Sequence, residues 1–407
     1  MRKIILGIVL GCSGLAQAQE LVFNTPIQLS SVINSNDEEL APMLSPDGNT
    51  LYFIRAFHDA NTGGKFAGTD IWMSKKDDQG QWMQASRMDN VWNNKRSNAV
   101  VGINAEQTVV YLLNGYSNKS GVAFSKLLNG QWGHPEFIPI PGINRDDFVG
   151  FYVNPQFDVI LISMKGKDTL GEEDLYISLK DSAGNWTEPR NLGPAVNTKG
   201  FEISPFLSID KSKLFFTSNG HGGFGDGDVL VSERLYGTWD IWSVPKNLGN
   251  TINTKGFDSY FSIYGDTIAY YARGNEDKSN IFKVDVSYSI NVLPTGSKFL
   301  TVEELNEIYP KRLSMRLDFS KGNSTLSSDQ NEIIWFITNR ILAKKDIKIL
   351  LWVREEEDNI VTIARTAEII RSMRLVGLDD TKVSISSHRI KPELSKQGGV
   401  IEILLFK

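Results

Sequence analysis

Asn197-Thr198-Lys199-Gly200-Phe201-Glu202 and Asn253-Thr254-Lys255-Gly256-Phe257-Asp258 are almost one hexapeptide written twice. Asn191-Leu192-Gly193 precedes the first copy at the same offset as Asn247-Leu248-Gly249 precedes the second. A self-match of that length at a fixed spacing points to an internal repeat. Aligning the chain on the Asn adds Val32-Ile33-Asn34, Val91-Trp92-Asn93 and Gly142-Ile143-Asn144, with spacings of 59, 51, 53 and 56 residues.

Each unit carries the same order of signals. A turn such as Leu44-Ser45-Pro46-Asp47-Gly48 comes first, with Ser208-Ile209-Asp210 and Tyr264-Gly265-Asp266 as worn copies. Pro fixes φ, and Asp and Gly suit a tight turn. A β-branched and aromatic run follows: Leu51–Ile54, Val109–Leu112, Val159–Ile162, Leu214–Thr217 and Ile268–Tyr271. After a variable loop a third strand starts at Asp70, Val122, Asp174, Asp228 and Ile281. Trp132 with Pro135, Trp186 with Pro189 and Trp242 with Pro245 then turn the chain into a fourth strand. Four short strands per unit of about fifty residues is the pattern of propeller blades, which bury both faces by stacking in a ring. The fifth unit stops after Val286, and Thr25-Pro26-Ile27-Gln28-Leu29 resembles the fourth-strand segment Glu188–Leu192. The expectation is an all-β propeller of five blades over residues 19–287, with six the alternative, closed by the N-terminal strand.

Leu44-Ser45-Pro46-Asp47-Gly48-Asn49-Thr50-Leu51-Tyr52-Phe53, followed by Thr69-Asp70-Ile71-Trp72, resembles the WD40-like (PD40) repeat of TolB-type periplasmic propellers. The resemblance covers residues 21 to about 290. It is strong in the first copy, clear in the fourth and degraded in the second and fifth.

The 407 residues are 41% hydrophobic and 22% charged, with a formal net charge of -5, enough apolar material for more than one core. No basic stripe appears, so nucleic acid is not an expected partner. Met1-Arg2-Lys3, the apolar run Ile4–Leu15 and Ala16-Gln17-Ala18 read as a signal peptide over residues 1–18. Cys12 is the only cysteine, and Val9-Leu10-Gly11-Cys12 makes it a candidate lipidation site, although the cleavage motif at Ala18 favours removal. No later stretch has the length and apolarity of a transmembrane span.

Residues 288–312 read as a linker with a short helix, capped by Thr301-Val302-Glu303-Glu304. From 313 to 407 the pattern is β-α-β-α-β-β, a small α+β domain with helices on one face of a sheet. Leu317-Asp318-Phe319 with Leu326, Ile349-Leu350-Leu351, and Arg365 ahead of Gly377-Leu378 resemble a divergent OmpA-like domain. In that family an Asp and a helix Arg grip the diaminopimelate of peptidoglycan. The resemblance places Arg365 at the Arg position and Glu355 at the Asp position, in a shortened loop Trp352–Asn359.

Other chemistry-bearing residues read as structural. Gly222–Asp228 alternates carboxylates with glycine, but Asp228 aligns with Asp70 and Asp174, as a turn-capping Asp does. His58, His134, His221 and His388 share no ligand spacing, so no metal, cofactor or catalytic residue is expected. Trp82, Trp132, Trp186 and Trp242 stand at equivalent positions, as core packing requires, whereas Trp72, Trp92 and Trp239 are candidates for exposure. Glu39, Glu202 and Asp258 recur at one offset from the repeated Asn, which reads as structural although they could line a common mouth.

The expectation is a non-enzymatic scaffold of the cell envelope, periplasmic and outer-membrane-associated. Its loops Ala56–Gly68 and Ser218–Gly227 would dock envelope proteins, and its C-terminal domain would tether it to peptidoglycan or another subunit. The combination resembles accessory proteins of type IX secretion and gliding machines. The alternative is a glycan- or peptide-binding module that uses the central channel.

Overall fold

The computed structural model describes residues 18–291 and 313–406, apart from 89–91, 115–120, 144–147, 235–237, 266, 276–277, 343–347, 356–358, 379–382 and 388–397. Residues 1–17 of the expected signal peptide, with Cys12, residues 292–312 of the expected linker, and His388 lie outside the described residues. The chain splits into two compact units, one of them Leu21–Ser287 and the other containing Tyr288–Lys407.

Leu21–Ser287 is a five-bladed β-propeller, which settles the blade count against six. Four blades run in chain order through Glu38–Arg87, Ala99–Phe137, Phe148–Asn191 and Glu202–Asn247, each an antiparallel meander. The fifth takes Asp258–Tyr264, Ile268–Gly274 and Ser279–Asn291 from the end of the propeller, and Ala18–Phe23 from its start. Ile27-Gln28 also pairs with this last strand, at Lys283 and Phe282. The ring is therefore closed by the N-terminal strand, as expected. One correction concerns the linker: the last strand runs on to Asn291, into residues read as linker. Between blades the second and third strands are buried on both faces, so Val159–Met164 is buried throughout. That is why these strands read as continuous apolar runs instead of alternating ones.

The repeated Asn is a backbone clasp. The Asn197 side chain accepts from Leu175 N at 2.8 Å and donates to Leu175 O at 2.9 Å. Asn253 treats Val229 the same way, and Asn93 treats Ile71 the same way. Each amide continues the sheet at the point where the fourth strand leaves, so the third strand's backbone is satisfied while the chain crosses to the next blade. Asn34 does this to Ile281, with bonds of 2.8 and 3.0 Å, and so joins the first crossing to the last blade. The loop of the preceding blade lies directly on the NTKG turn. A Cβ at Gly171 would collide with the backbone of Lys199 and Gly200, and one at Gly225 with that of Thr254 and Gly256. Phe201 and Phe257, from neighbouring crossings, pack with ring centroids 5.7 Å apart.

The C-terminal unit is a four-stranded sheet with two helices. Its strands are Leu313–Ser320, Lys348–Glu355, Val383–Ser387 and Gly398–Phe406, in spatial order first, fourth, second, third. Helix α1 spans Ser328–Leu342 and helix α2 spans Asn359–Leu375. Ser327 and Gln330 form a reciprocal capping box at the start of α1. Gly377, at φ 96°, ends α2 in the left-handed conformation. Ile334, Ile337, Ile369, Ile370 and Met373 of the helices share one core with Leu317, Phe319, Ile349, Leu351, Ile401 and Ile403 of the sheet.

Candidate functional site: the loop face and channel of the propeller

Two surfaces of the propeller have the geometry of a site. The first is the face that carries the loops between second and third strands together with the NTKGF-type crossings. Its base is fixed by turn-capping carboxylates. Asp70 accepts from Thr62 N, Asp174 from Leu170 N, and Asp228 from Phe224 N. The fourth strand adds a second donor: Arg87 to Asp70, Asn191 to Asp174 and Asn247 to Asp228. Among the described residues no group of three or more His, Cys, Asp or Glu is placed to hold a metal.

Glu39, Glu202 and Asp258 do not meet at a mouth. Each is buried and closes its own crossing turn, accepting from the backbone and hydroxyl of Ser35, Thr198 and Thr254. Arg55 and Arg273 add ion pairs to Glu39 and Asp258 at 2.9 and 3.2 Å. Asn98 replaces the carboxylate in the second blade and accepts from Asn94 N.

On this base stand exposed apolar side chains. Phe66 is 84% exposed, with Phe57 beside it at 6.3 Å between ring centroids. Leu170 and Phe224 hold the matching loops of the third and fourth blades, at 50% and 49% exposure. Sequence reasoning looked for exposed tryptophans instead. Trp72 and Trp92 are buried, and Trp239 is half-buried against Trp242. Trp186 and Trp242 are buried, as equivalence implied, while Trp82 and Trp132 are partly buried against neighbouring cores.

The second surface is the central channel, lined by the first strands of all five blades. Met43, Tyr152 and Phe206 narrow it into two chambers of about 290 and 320 Å³. The first chamber, toward the loop face, is lined by Leu40, Ala99, Val101, Phe151, Ile203, Phe261 and other apolar side chains, with a few hydroxyls. No Asp or Glu is among its described lining residues.

In the C-terminal unit, Arg365 is 1% exposed. Its guanidinium donates to Asn323 O at 2.7 Å and Ser320 O at 2.9 Å, and lies 5.0 Å from the centre of the Phe319 ring. It thus ties α2 to the turn after the first strand. Glu355 is the last residue of its strand, opposite Val400 across a register shift.

No protein-family model matches the chain, and no curated protein matches it. Among solved structures it is similar to TolB from Acinetobacter baumannii, at 13% identity and a TM-score of 0.39, over 63% of this chain and 56% of that one. The match thus spans just over half the length of that structure. It is also similar to a glycoside hydrolase, at 10% identity and a TM-score of 0.45, over 70% of this chain and 96% of that one. A third is the C-terminal domain of Helicobacter pylori MotB, at 17% identity and a TM-score of 0.19, over 22% of this chain and 84% of that one. Likeness at these identities concerns fold alone. The expectation that the chain is not an enzyme is corrected here: glycoside hydrolases stand among the similar structures beside TolB, so a propeller of this kind does not separate binding from hydrolysis.

Proposed function

We propose that the propeller binds a protein of the cell envelope on its loop face. The observation that supports this is the set of exposed apolar side chains, Phe66, Phe57, Leu170 and Phe224, at matching places on loops with a fixed base. Aromatic side chains in an otherwise polar surface are the usual anchors of protein interfaces. The rigid base lowers the ordering cost of binding, because the capped turns are already in place. The leader-like N-terminus places the chain outside the cytoplasm in this reading.

A double Phe66→Ser, Phe224→Ser variant tests it. In gentle extracts the wild type should migrate with a partner, and the variant should migrate as the free chain. Ile209→Ser, on the turn at the opposite end of the blade, should leave the complex intact. An unchanged complex with the double variant contradicts the reading.

The C-terminal unit would be the tether, following its resemblance to OmpA-like domains, with Glu355 and Arg365 toward peptidoglycan. Because the Arg365 guanidinium is committed to two backbone carbonyls, gripping a ligand carboxylate would require the 320–323 turn to open. Co-sedimentation with purified sacculi, lost in Arg365→Lys while the variant still folds by circular dichroism, would support the tether. Full retention by that variant would exclude Arg365 as a ligand.

A further inference from the structure

The channel chamber toward the loop face has the make-up of a small-molecule site. Every blade contributes its first strand to the wall, and no charged side chain is among the described lining residues. The polar side-chain groups are the hydroxyls of Thr69, Ser97, Tyr152, Ser204, Tyr260 and Ser262. Ser262 is already engaged, donating to Pro42 O at 3.2 Å. Ser204 and Tyr260 both line the chamber, and burial pushes the Tyr260 phenol above its ordinary range, so it stays a neutral donor. The floor is narrowed by Met43, Tyr152 and Phe206, with Tyr152 and Phe206 rings 5.0 Å apart and the Tyr152 hydroxyl donating to Leu207 O.

Size and polarity limit what fills such a space. An apolar cavity of about 150 Å³ stays dry and takes benzene. This chamber is about twice that volume and partly open, so water enters it, and a ligand with an apolar body gains by displacing that water from a mostly apolar wall. A sugar would bury several hydroxyls against the same apolar wall at a cost for each one left unbonded.

The wall is also held in an unusual backbone conformation. Ala41, Ser204 and Tyr260 occupy the same position in three blades, at φ 51°, 52° and 53°, beside register shifts in their strands. Left-handed φ is uncommon outside glycine and carries a backbone strain, and such residues gather at ligand sites. Here they turn Ser204 and Tyr260 into the chamber wall.

We propose that this chamber binds one uncharged, mainly apolar molecule about the size of two fused rings, with a single polar group held by Tyr260 and Ser204. This is independent of protein docking on the loop face. Titrating the purified full chain with naphthalene and with 1-naphthol, followed by ligand fluorescence, tests it. One saturable site per chain is expected for both probes. Tyr260→Phe should weaken 1-naphthol about five- to tenfold, the loss of one hydrogen bond, and leave naphthalene unchanged. Leu113→Trp should block both probes with the thermal transition retained, and Val101→Phe serves the same purpose if the first variant does not fold. Absence of saturable binding to the wild type, or binding unmoved by a folded chamber-filling variant, overturns the site. Equal weakening of both probes by Tyr260→Phe overturns the placement of the polar group.

Discussion

Asn197 shows what a single side chain does in this ring. Its amide satisfies both backbone groups of Leu175 and also donates to Asn191 Oδ1 at 2.8 Å, all in the protein interior. Asn197→Ala leaves the Leu175 N–H without its partner, while Leu175 O keeps the bond from Leu192 N, so one buried group goes unsatisfied at roughly 1–3 kcal/mol. We expect a fall of about 1–3 kcal/mol in urea unfolding free energy, and Asn197→Asp should also destabilise because a buried carboxylate would then face the acceptor oxygens of Leu175 and Asn191. A loss below half a kcal/mol would mean that the crossing is held by packing alone. The importance of this Asn was legible from its recurrence, although its chemistry was not: a bend-forming Asn and a clasping Asn leave the same mark in a sequence. Arg365 illustrates the same limit. Its position in α2 was readable from Gly377, but its commitment to the Ser320 and Asn323 carbonyls depends on a turn forty residues away.

Blades were legible as elements because each second strand is a β-branched or aromatic run between turn residues, and stacking buries both of its faces. The closing strand was legible from its likeness to Glu188–Leu192. The extension to Asn291 was not, because Ser287–Asn291 lacks a turn signal and its pairing partner lies at the other end of the chain. Removing residues 18–34 would unpair the edge of Ser279–Asn291 and delete the Asn34 clasp. An unpaired strand edge templates association, so size-exclusion should show concentration-dependent oligomers, where the intact chain gives one species. Neighbouring blades are also joined at the surface by Lys211 and Asp158, 2.6 Å apart. Partial burial raises the Asp158 pKa, but the Lys211 and Asn154 bonds outweigh it and hold it below the ordinary carboxylate range. A depressed carboxylate adds stability above its unfolded pKa and loses it as pH falls through the folded one. Lys211→Met should therefore cost under about 1 kcal/mol at neutral pH, given the exposure of the pair. The difference from wild type should shrink as pH falls below the ordinary carboxylate range and vanish once Asp158 is protonated.

At the scale of the whole molecule the chain forms two compact units. Composition and periodicity separated them because the repeat of about fifty residues ends where helical periodicity begins. Which surface of the propeller is used was much less legible. Phe66, Phe201, Phe224 and Phe257 are alike in sequence, yet two stand out in solvent and two lie half-buried between crossings, since exposure depends on how far each loop rises above its neighbour. The irregularly placed tryptophans, candidates for exposure, are mostly buried, and Trp72 and Trp92 serve the cores. The central claim is that the loop face docks a protein. Its most direct test is site-specific photo-crosslinking in living cells, with the crosslinker at position 66, at position 224 and at position 209. Adducts of one defined mass from 66 and 224, with none from 209, are the predicted result. Adducts from 209 alone, or none from 66 and 224 in cells where the chain is folded and exported, would contradict it.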